Sequence, residues 1–332
     1  MKIVIDDNIP YIAGRLEPVA DTIYVDQFGF TPENVNDADA LVIRTRTRCD
    51  SRLLEGSAVK AIATATIGTD QIDIPWCKAA GIDVFNSPGC NAPAVAQYVW
   101  ASLLRLGFEP AQMKLGVVGC GNVGSIVADW GRAMGAEVLV SDPPKENAGI
   151  PDNYAPLDRI MRECDAVTFH TPLIRDGENP TFHLAGDAEF SLMKPGAIIV
   201  NAARGPVIDS QALLPYLRER RIRAVIDTWE GEPEISGDLL SAVEIGTFHI
   251  AGYSRQGKER ATRMTLENLE KRFGFEVDKS ELEGPYVAPG RIIPEAILGS
   301  YDPYIDSDRL KEAPSEFDTL RRNYHYREEV PF

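Results

Sequence analysis

The chain has 332 residues, 44% of them hydrophobic and 25% charged, values typical of a soluble globular protein with two or three domains. A formal net charge of −16 argues against nucleic acid or an anionic membrane as a partner, because like charges repel. The five scattered cysteines predict no disulfide framework, no metal site and a reducing cytoplasm. An acidic N-terminus and the lack of a long apolar run predict neither a signal peptide nor a membrane span.

Strands and helices alternate through the first part of the chain. Strands are predicted at 2–5, 22–25, 40–43, 61–64 and 84–86, and a helix is predicted after Pro10. This alternation is typical of a parallel sheet with helices on both faces.

The alternation starts again after an apolar helix at 93–106. Strands are predicted at 114–118, 137–141, 166–169, 197–201, 224–226 and 244–248, with helices at 157–163, 209–221 and 257–273. We therefore expect a second parallel α/β sheet.

A glycine-rich loop, GCGNVG, follows the strand at 114–118 and precedes a helix. This context is that of a dinucleotide-binding loop, whose glycines let the backbone approach a pyrophosphate at the helix N-terminus. Asp142 ends the next strand, where a carboxylate accepts hydrogen bonds from the adenosine ribose and repels the extra phosphate of NADP. NAD is therefore the predicted cofactor, with contacts at Gly119, Gly121, Asn122, Val123, Gly124 and Asp142. The alternative is a glycine-rich turn in an unrelated α/β protein.

Three later loops carry side chains suited to hydroxy-acid chemistry, and each follows a predicted strand. Arg204 can grip a carboxylate with two parallel hydrogen bonds, and His249 can accept a hydroxyl proton. A glutamate beside the histidine would orient its ring. Position alone leaves three glutamates open for that role, at 230, 232 and 234.

The other three histidines are less suited to a catalytic role. We interpret His170 as capping a strand end, and His183 and His325 as surface residues without a carboxylate partner.

The stretches GCGNVG, HTPL, NAARGPVID, DTWEGEP and HIAGYS, with Asp142, together resemble the D-2-hydroxyacid dehydrogenase family. The resemblance implies NAD-dependent oxidation, with Arg204 on the substrate carboxylate and His249 as proton acceptor. It also selects Glu232 as the partner of His249. It implies further NAD contacts at Thr171, Ala203, Asp227 and Gly252.

Other stretches, among them DDNIPY, ATATIGTDQID and the tail EFDTLRRNYHYREE, resemble one branch of that family. Its members oxidise a small phosphorylated hydroxy acid in vitamin B6 biosynthesis and form homodimers through a C-terminal module, which here looks shorter. By this resemblance Thr45, Thr66 and Tyr253 contact the substrate.

The loop after the strand at 40–43 adds candidate phosphate ligands, because arginines suit bidentate phosphate binding. These are Arg44 and Arg46, with Arg48 in the same loop; a solvated charged loop is the alternative.

These expectations combine into two Rossmann-like α/β domains with a cleft between them. Residues 1–93 plus 253–278 form a flavodoxin-like substrate-binding lid, 94–252 bind NAD, and 279–332 form the dimerisation module. Two other functions stay open. One is a dehydrogenase of another phosphorylated 2-hydroxy acid such as 3-phosphoglycerate, and the other is an NAD-sensing interaction protein, because one fold serves several functions.

Overall fold

The computed structural model describes residues 1–331, which divide into two compact units. The first unit comprises Met1–Asn91 and Ser254–Val287, and the second comprises Ala92–Tyr253 together with the chain from Ala288 onward.

The strands lie close to their predicted positions. Their bounds are β1 Lys2–Asp6, β2 Asp21–Val25, β3 Ala40–Ile43, β4 Ala61–Thr64, β5 Asp83–Phe85, β6 Lys114–Val118, β7 Glu137–Ser141, β8 Ala166–Phe169, β9 Ile198–Asn201, β10 Arg223–Ile226 and β11 Ile245–Gly246.

The helices fill the connections between these strands. They are α1 Pro32–Val35, α2 Ser51–Leu54, α3 Ile74–Ala79, α4 Ala92–Arg105, α5 Asn122–Ala133, α6 Pro143–Asn147, α7 Leu157–Glu163, α8 Asp187–Leu192, α9 Ser210–Arg218, α10 Gly237–Ala242, α11 Arg255–Phe273, α12 Pro294–Ser300, α13 Pro303–Glu312 and α14 Phe317–Arg322. Two short 3-10 helices span Gly205–Val207 and Pro314–Glu316. In residues 1–331, no helix combines the length and the apolar character that crossing a membrane requires.

The first unit is a parallel sheet with strand order β2-β1-β3-β4-β5. Helix α11 covers one face, where Leu266 and Leu269 pack into a core with Ile3 and Ile5 of β1. The helix predicted after Pro10 is wrong, because residues 10–20 form irregular turns and bends. Gly14 takes a φ of +83°, a left-handed conformation that ends any helical path there.

The second unit is also a parallel sheet, with strand order β11-β10-β9-β8-β6-β7. Its faces hold separate cores: Val167 and Ile199 belong to one, and the adjacent Ala166 and Ile198 belong to the other. This division follows from the pleat, since successive side chains on a strand point to opposite faces. The predicted two parallel α/β units are therefore confirmed.

The C-terminal segment, residues 288–331, packs on the second unit. Ile297 of α12 enters one of the two cores, and Leu310 and Phe317 enter the other. Residues 279–287 lie instead with the first unit. The dimerisation role predicted for residues 279–332 stays a prediction. Residue 332 lies outside the described residues.

Candidate active site

The glycine loop after β6 has the backbone geometry that a dinucleotide requires. Gly119 has a φ of +84°, and a Cβ there would lie 2.8 Å from the Thr171 side chain. A Cβ on Gly124 would lie 2.0 Å from the Gly119 carbonyl oxygen, so only glycine allows α5 to begin this close to the strand. At Gly121, by contrast, a Cβ would meet open space. The loop is therefore tight on its protein side and open where a pyrophosphate would approach.

Two polar side chains beside this loop, Asp142 and Thr171, are placed to form hydrogen bonds with a bound NAD. The Oδ2 atom of Asp142 accepts the Cys120 N–H at 2.8 Å, which holds the carboxylate next to the loop. The hydroxyl of Thr171 is buried and has no hydrogen-bond partner within residues 1–331. Since a buried hydroxyl without a partner is costly, a ligand at this position would satisfy it. The residues present thus fit the predicted cofactor.

His249 and Glu232 lie in contact beyond the ends of β11 and β10. His249 Nδ1 and Glu232 Oε1 are 2.5 Å apart, and the other carboxylate oxygen accepts the Trp229 N–H at 3.1 Å. Both side chains are about one-quarter exposed, so neither is sealed from a ligand. Burial alone would raise the pKa of Glu232, but the hydrogen bond and charge of His249, the Trp229 N–H and nearby Arg321 together lower it. Glu232 is thus an ionised partner for the imidazole.

The neighbouring Glu230 is bonded to a different histidine, His183. Its Oε1 lies 2.8 Å from His183 Nε2, and Asp209 Oδ2 lies 3.6 Å from the other ring nitrogen. Our interpretation of His183 as a surface residue without a carboxylate partner is therefore wrong, because the chain brings Glu230 to it from 47 residues away. The geometry thus separates Glu232 from Glu230, two of the three glutamates that position alone left open. Within the described residues, the third, Glu234, makes no hydrogen bond or ion pair with His249.

Asp227 forms hydrogen bonds with the backbone on the C-terminal side of His249. The carboxylate is only 1% exposed and accepts the N–H groups of Ile250 and Ala251 at 2.8 and 3.0 Å. It also accepts the Thr247 hydroxyl at 2.6 Å. His249 itself has a φ of +57°, a left-handed conformation that is strained for a residue with a Cβ. These bonds hold the strained backbone and end β11 earlier than the predicted 248.

The loop that carries Arg204 is built against the same region. The buried Asn201 side chain accepts the Ala203 N–H at 3.1 Å and donates to the Arg204 carbonyl at 3.0 Å. A Cβ on Gly205 would lie 2.1 Å from the backbone of Trp229, so glycine is required for this close approach. The Arg204 loop therefore abuts the loop that carries Glu232. The guanidinium is half-buried, and its Nη1 donates to the Ala203 carbonyl at 2.8 Å.

The substrate residues predicted from the first unit follow β3 and β4. Thr45 and Arg46 are exposed, and Arg44 donates to the Asn8 carbonyl at 2.6 Å. The hydroxyl of Thr66 lies 2.6 Å from that of Thr64.

The three loop arginines differ in their surroundings. Arg48 is paired with Asp50 at 2.8 Å, and Arg46 lies beside Phe28 in a surface groove. Hydrogen bonds from Arg52 and Arg48 lower the pKa of Asp50, so part of the positive charge in this loop is already compensated.

The remaining histidines take no part in the His249 cluster. His170 Nε2 lies 2.9 Å from the Thr168 hydroxyl at the end of β8, and His325 is exposed. Sequence reasoning missed several supporting residues. One is Tyr98, whose hydroxyl lies 2.8 Å from that of Thr247; the others are Asn201, Thr247, Arg321 and Arg327. The NAARG stretch held a signal for Asn201, but the other four act through contacts that sequence spacing does not reveal.

Comparisons with known proteins agree with this geometry. The model of the NAD-binding domain of D-isomer specific 2-hydroxyacid dehydrogenases matches residues 90–264. An erythronate-4-phosphate dehydrogenase from Bacteroides fragilis is 48% identical over 339 residues, which cover 99% of this chain and 97% of the relative. A protein of the same name from Escherichia coli O157:H7 is 39% identical over 350 residues, which cover 99% and 92%.

Solved structures show the same fold at lower identity. The NAD-bound 3-phosphoglycerate dehydrogenase of Entamoeba histolytica has a TM-score of 0.69 at 22% identity, over 86% of this chain and 99% of that one. The D-lactate dehydrogenase of Aquifex aeolicus, complexed with NAD and lactic acid, has a TM-score of 0.67 at 23% identity, over 82% and 96%.

The predicted cofactor and enzyme class are confirmed. The matching domain is an NAD-binding one, and the chain is an NAD-dependent oxidoreductase. The fingerprint around Gly119, the Glu232–His249 pair and the near full-length relatives point the same way: the chain belongs to the D-isomer specific 2-hydroxyacid dehydrogenase family.

Proposed function

We propose that this protein oxidises 4-phospho-D-erythronate to (R)-3-hydroxy-2-oxo-4-phosphooxybutanoate with NAD, in the biosynthesis of pyridoxal 5'-phosphate. The observation that carries the proposal is the 48% identity, over 99% of this chain, to a relative named for this substrate. The Glu232–His249 pair and the Arg204 loop supply the groups that the reaction needs.

His249 is the proposed base. Its Nδ1 faces Glu232, so the ring carries its proton there and Nε2 is the nitrogen with a lone pair. Nε2 removes the proton of the C2 hydroxyl, and the ring becomes positively charged. The ionised Glu232 stabilises that charge and fixes the orientation of the ring. In the reverse direction the same nitrogen returns the proton.

Arg204 is the proposed carboxylate anchor. Its planar guanidinium can hold the C1 carboxylate of the substrate and the C2 oxygen, on which negative charge develops as the hydroxyl proton leaves. The short 3-10 helix that follows it keeps the residue in an extended conformation, with a φ of −142° and a ψ of 138°. NAD, when bound, supplies the acceptor for the C2 hydride. We propose NAD contacts at the glycine loop, Asp142, Thr171, Ala203, Asp227 and Gly252.

The first unit is proposed to act as the substrate-binding lid. Thr45 and Thr66 would donate hydroxyl hydrogen bonds to the substrate, and Arg44 and Arg46 would add positive charge for its phosphate. Tyr253, four residues after His249, would complete the contacts from the second unit.

A substrate panel tests the proposal directly. Purified protein with NAD should oxidise 4-phospho-D-erythronate with a kcat/KM at least about tenfold above that for 3-phosphoglycerate, followed by NADH absorbance. The Arg204→Ala variant should lose most activity while NADH fluorescence still reports cofactor binding. Preference for 3-phosphoglycerate would reassign the substrate. Absence of any turnover, with NAD altering the binding of another protein, would favour an NAD-sensing role.

We also propose a cytoplasmic homodimer. The cysteines described are all buried and form no disulfide with one another, which suits a reducing compartment. Ile305 of α13 is 58% exposed, an apolar side chain of the kind that a subunit interface covers. Light scattering of the wild type and of Ile305→Glu would test the dimer, and a monomeric wild type would contradict it.

A further inference from the structure

The C-terminal segment is anchored directly to the loop that follows His249. The guanidinium of Arg327 is buried and donates to the carbonyls of Ile250 at 2.9 Å and Tyr253 at 3.2 Å, and to that of Ala251. Its Nε donates to Gln97 Oε1 at 3.1 Å. Charged donors make stronger hydrogen bonds than neutral ones, so this anchor fixes the segment on the loop.

Helix α14, just before the anchor, places a second arginine beside this loop. The Arg321 guanidinium carbon lies 5.6 Å from the centre of the Tyr253 ring. Two further rings of the segment, those of Tyr324 and Tyr326, stand 6.2 and 6.1 Å from the same ring. Arg321 is therefore held against the tyrosine that we propose as a substrate contact.

Arg321 has unused hydrogen-bonding capacity. Its Nε atom is buried and has no partner within residues 1–331. Its positive charge is close enough to Glu232 to contribute to the lowered pKa of that carboxyl. The carboxylate of Glu232 instead accepts hydrogen bonds from His249 and the Trp229 N–H, and within residues 1–331 it forms no hydrogen bond or ion pair with Arg321.

A buried donor without a partner is unfavourable, and a guanidinium is best satisfied by a carboxylate or phosphate. The proposed substrate has two anionic ends, and Arg204 is assigned to the carboxylate. A further local cation in the second unit would add to the charge proposed for Arg44 and Arg46 at the phosphate end, which matters because the chain as a whole carries a net charge of −16.

We propose that Arg321 binds the phosphate group of the substrate, so that the C-terminal segment completes the substrate site. This assignment rests on the proposed function. It gives α14 a role in specificity, in the same unit as the reacting groups.

The test compares phosphorylated and unphosphorylated substrates in the full-length protein. Arg321→Met should lower kcat/KM for 4-phospho-D-erythronate by about 10–100-fold, the usual range for losing a charged hydrogen bond. Any turnover of D-erythronate should change by less than about threefold, since it has no phosphate to lose. Arg321→Lys should restore part of the activity, because it keeps the charge but not the planar fork.

The matched control is Arg322→Met, which removes an exposed arginine from the same helix. It should leave both substrates unaffected. Far-ultraviolet circular dichroism and NADH fluorescence would check that each variant is folded and binds cofactor.

A second measurement needs no turnover. Inorganic phosphate should raise the melting temperature of the NADH complex of the wild type and of Arg322→Met, and should do so much less for Arg321→Met. Equal shifts in all three proteins would overturn the proposal. So would an equal loss of activity on both substrates with a shifted acid limb in the pH profile, because Arg321 would then act only through Glu232.

Failure of the proposed function gives a different result. The wild type would then not oxidise 4-phospho-D-erythronate, whereas the phosphate-dependent difference between Arg321→Met and Arg322→Met would still be measured.

Discussion

The two units share a parallel α/β architecture but use their strand ends differently. In the first unit the loop after β3 leaves Thr45 and Arg46 exposed to solvent. In the second unit the loop after β10 begins with Asp227, which is 1% exposed and accepts three hydrogen bonds. One set of loops leaves polar side chains exposed to solvent, and the other holds its polar groups in a fixed geometry through buried hydrogen bonds.

This difference shows how far each kind of loop depends on hydrogen bonds from the surrounding structure. A left-handed residue such as His249 costs on the order of 1–2 kcal/mol and persists only where surrounding bonds fix it. The Asp227 bonds provide that fixation before any substrate binds. Substitutions of His249 and its carboxylate partner should therefore change kcat, and those in the exposed loops of the first unit should change KM.

The largest effect is expected at His249. His249→Asn should lower kcat by about 10²–10⁴-fold, the usual contribution of a general base, because asparagine cannot accept the proton. NADH binding, measured by fluorescence, should stay close to that of the wild type. A kcat within a few-fold of the wild type would remove His249 from the mechanism.

The next largest effect is expected at Glu232, and Glu230 provides the control. Glu232→Gln should also lower kcat, by a factor roughly 10–100-fold smaller than the loss at His249, since removing the orienting carboxylate of a triad costs less than removing the base. Glu230→Gln is the matched control, because Glu230 is bonded to His183 and should leave kcat within about threefold. Steady-state rates of the two variants decide the assignment, and the reverse ranking would give the partner role to Glu230.

A smaller and different change is expected in the first unit. Thr66→Val should raise KM for the substrate by about 2–10-fold, the value of one hydrogen bond, with kcat nearly unchanged. Because the Thr66 hydroxyl also contacts Thr64, thermal unfolding would check the stability of the variant. A fall in kcat at constant KM would erase the contrast between the two units.

The sequence predicted best what neighbouring residues determine. The glycine loop and Asp142 lie in one strand–helix–strand stretch, so the position of Asp142 beside the loop follows from local spacing. The placement of Arg204 and His249 just beyond strand ends was also predictable from the sequence, because the carboxyl ends of parallel strands meet at one edge of a sheet. Both inferences needed only strand positions and side-chain chemistry.

Two of the failures involve contacts between distant residues. Arg327 reaches the carbonyl of Ile250, 77 residues away, and no period in the sequence encodes that pairing. His183 meets Glu230 across 47 residues. The helix predicted after Pro10 failed for a local reason, since Gly14 adopts a left-handed φ of +83°.

The smallest predicted effect concerns stability against pH. All four histidines of the chain lie in the second unit, so only that unit gains histidine protons on acidification. Burial lowers the pKa of His170 to about 3, whereas an unfolded histidine titrates near 6.5. Between those values the unfolded chain binds a proton that the folded chain does not. The free energy of unfolding should therefore be fully retained above about pH 6.5 and fall as the pH drops towards 3.

Urea unfolding across this pH range measures the effect. His170→Gln keeps a hydrogen-bonding side chain near Thr168 but cannot titrate, so its unfolding free energy should fall less steeply below about pH 6.5 than that of the wild type. The exposed His325 is the control, and His325→Gln should follow the wild-type slope. Parallel slopes for all three proteins would mean that His170 takes up its proton in the folded state. The acid response would then come from carboxylates in both units, such as Asp50 and Glu232, whose lowered pKa values act below the range of a free histidine.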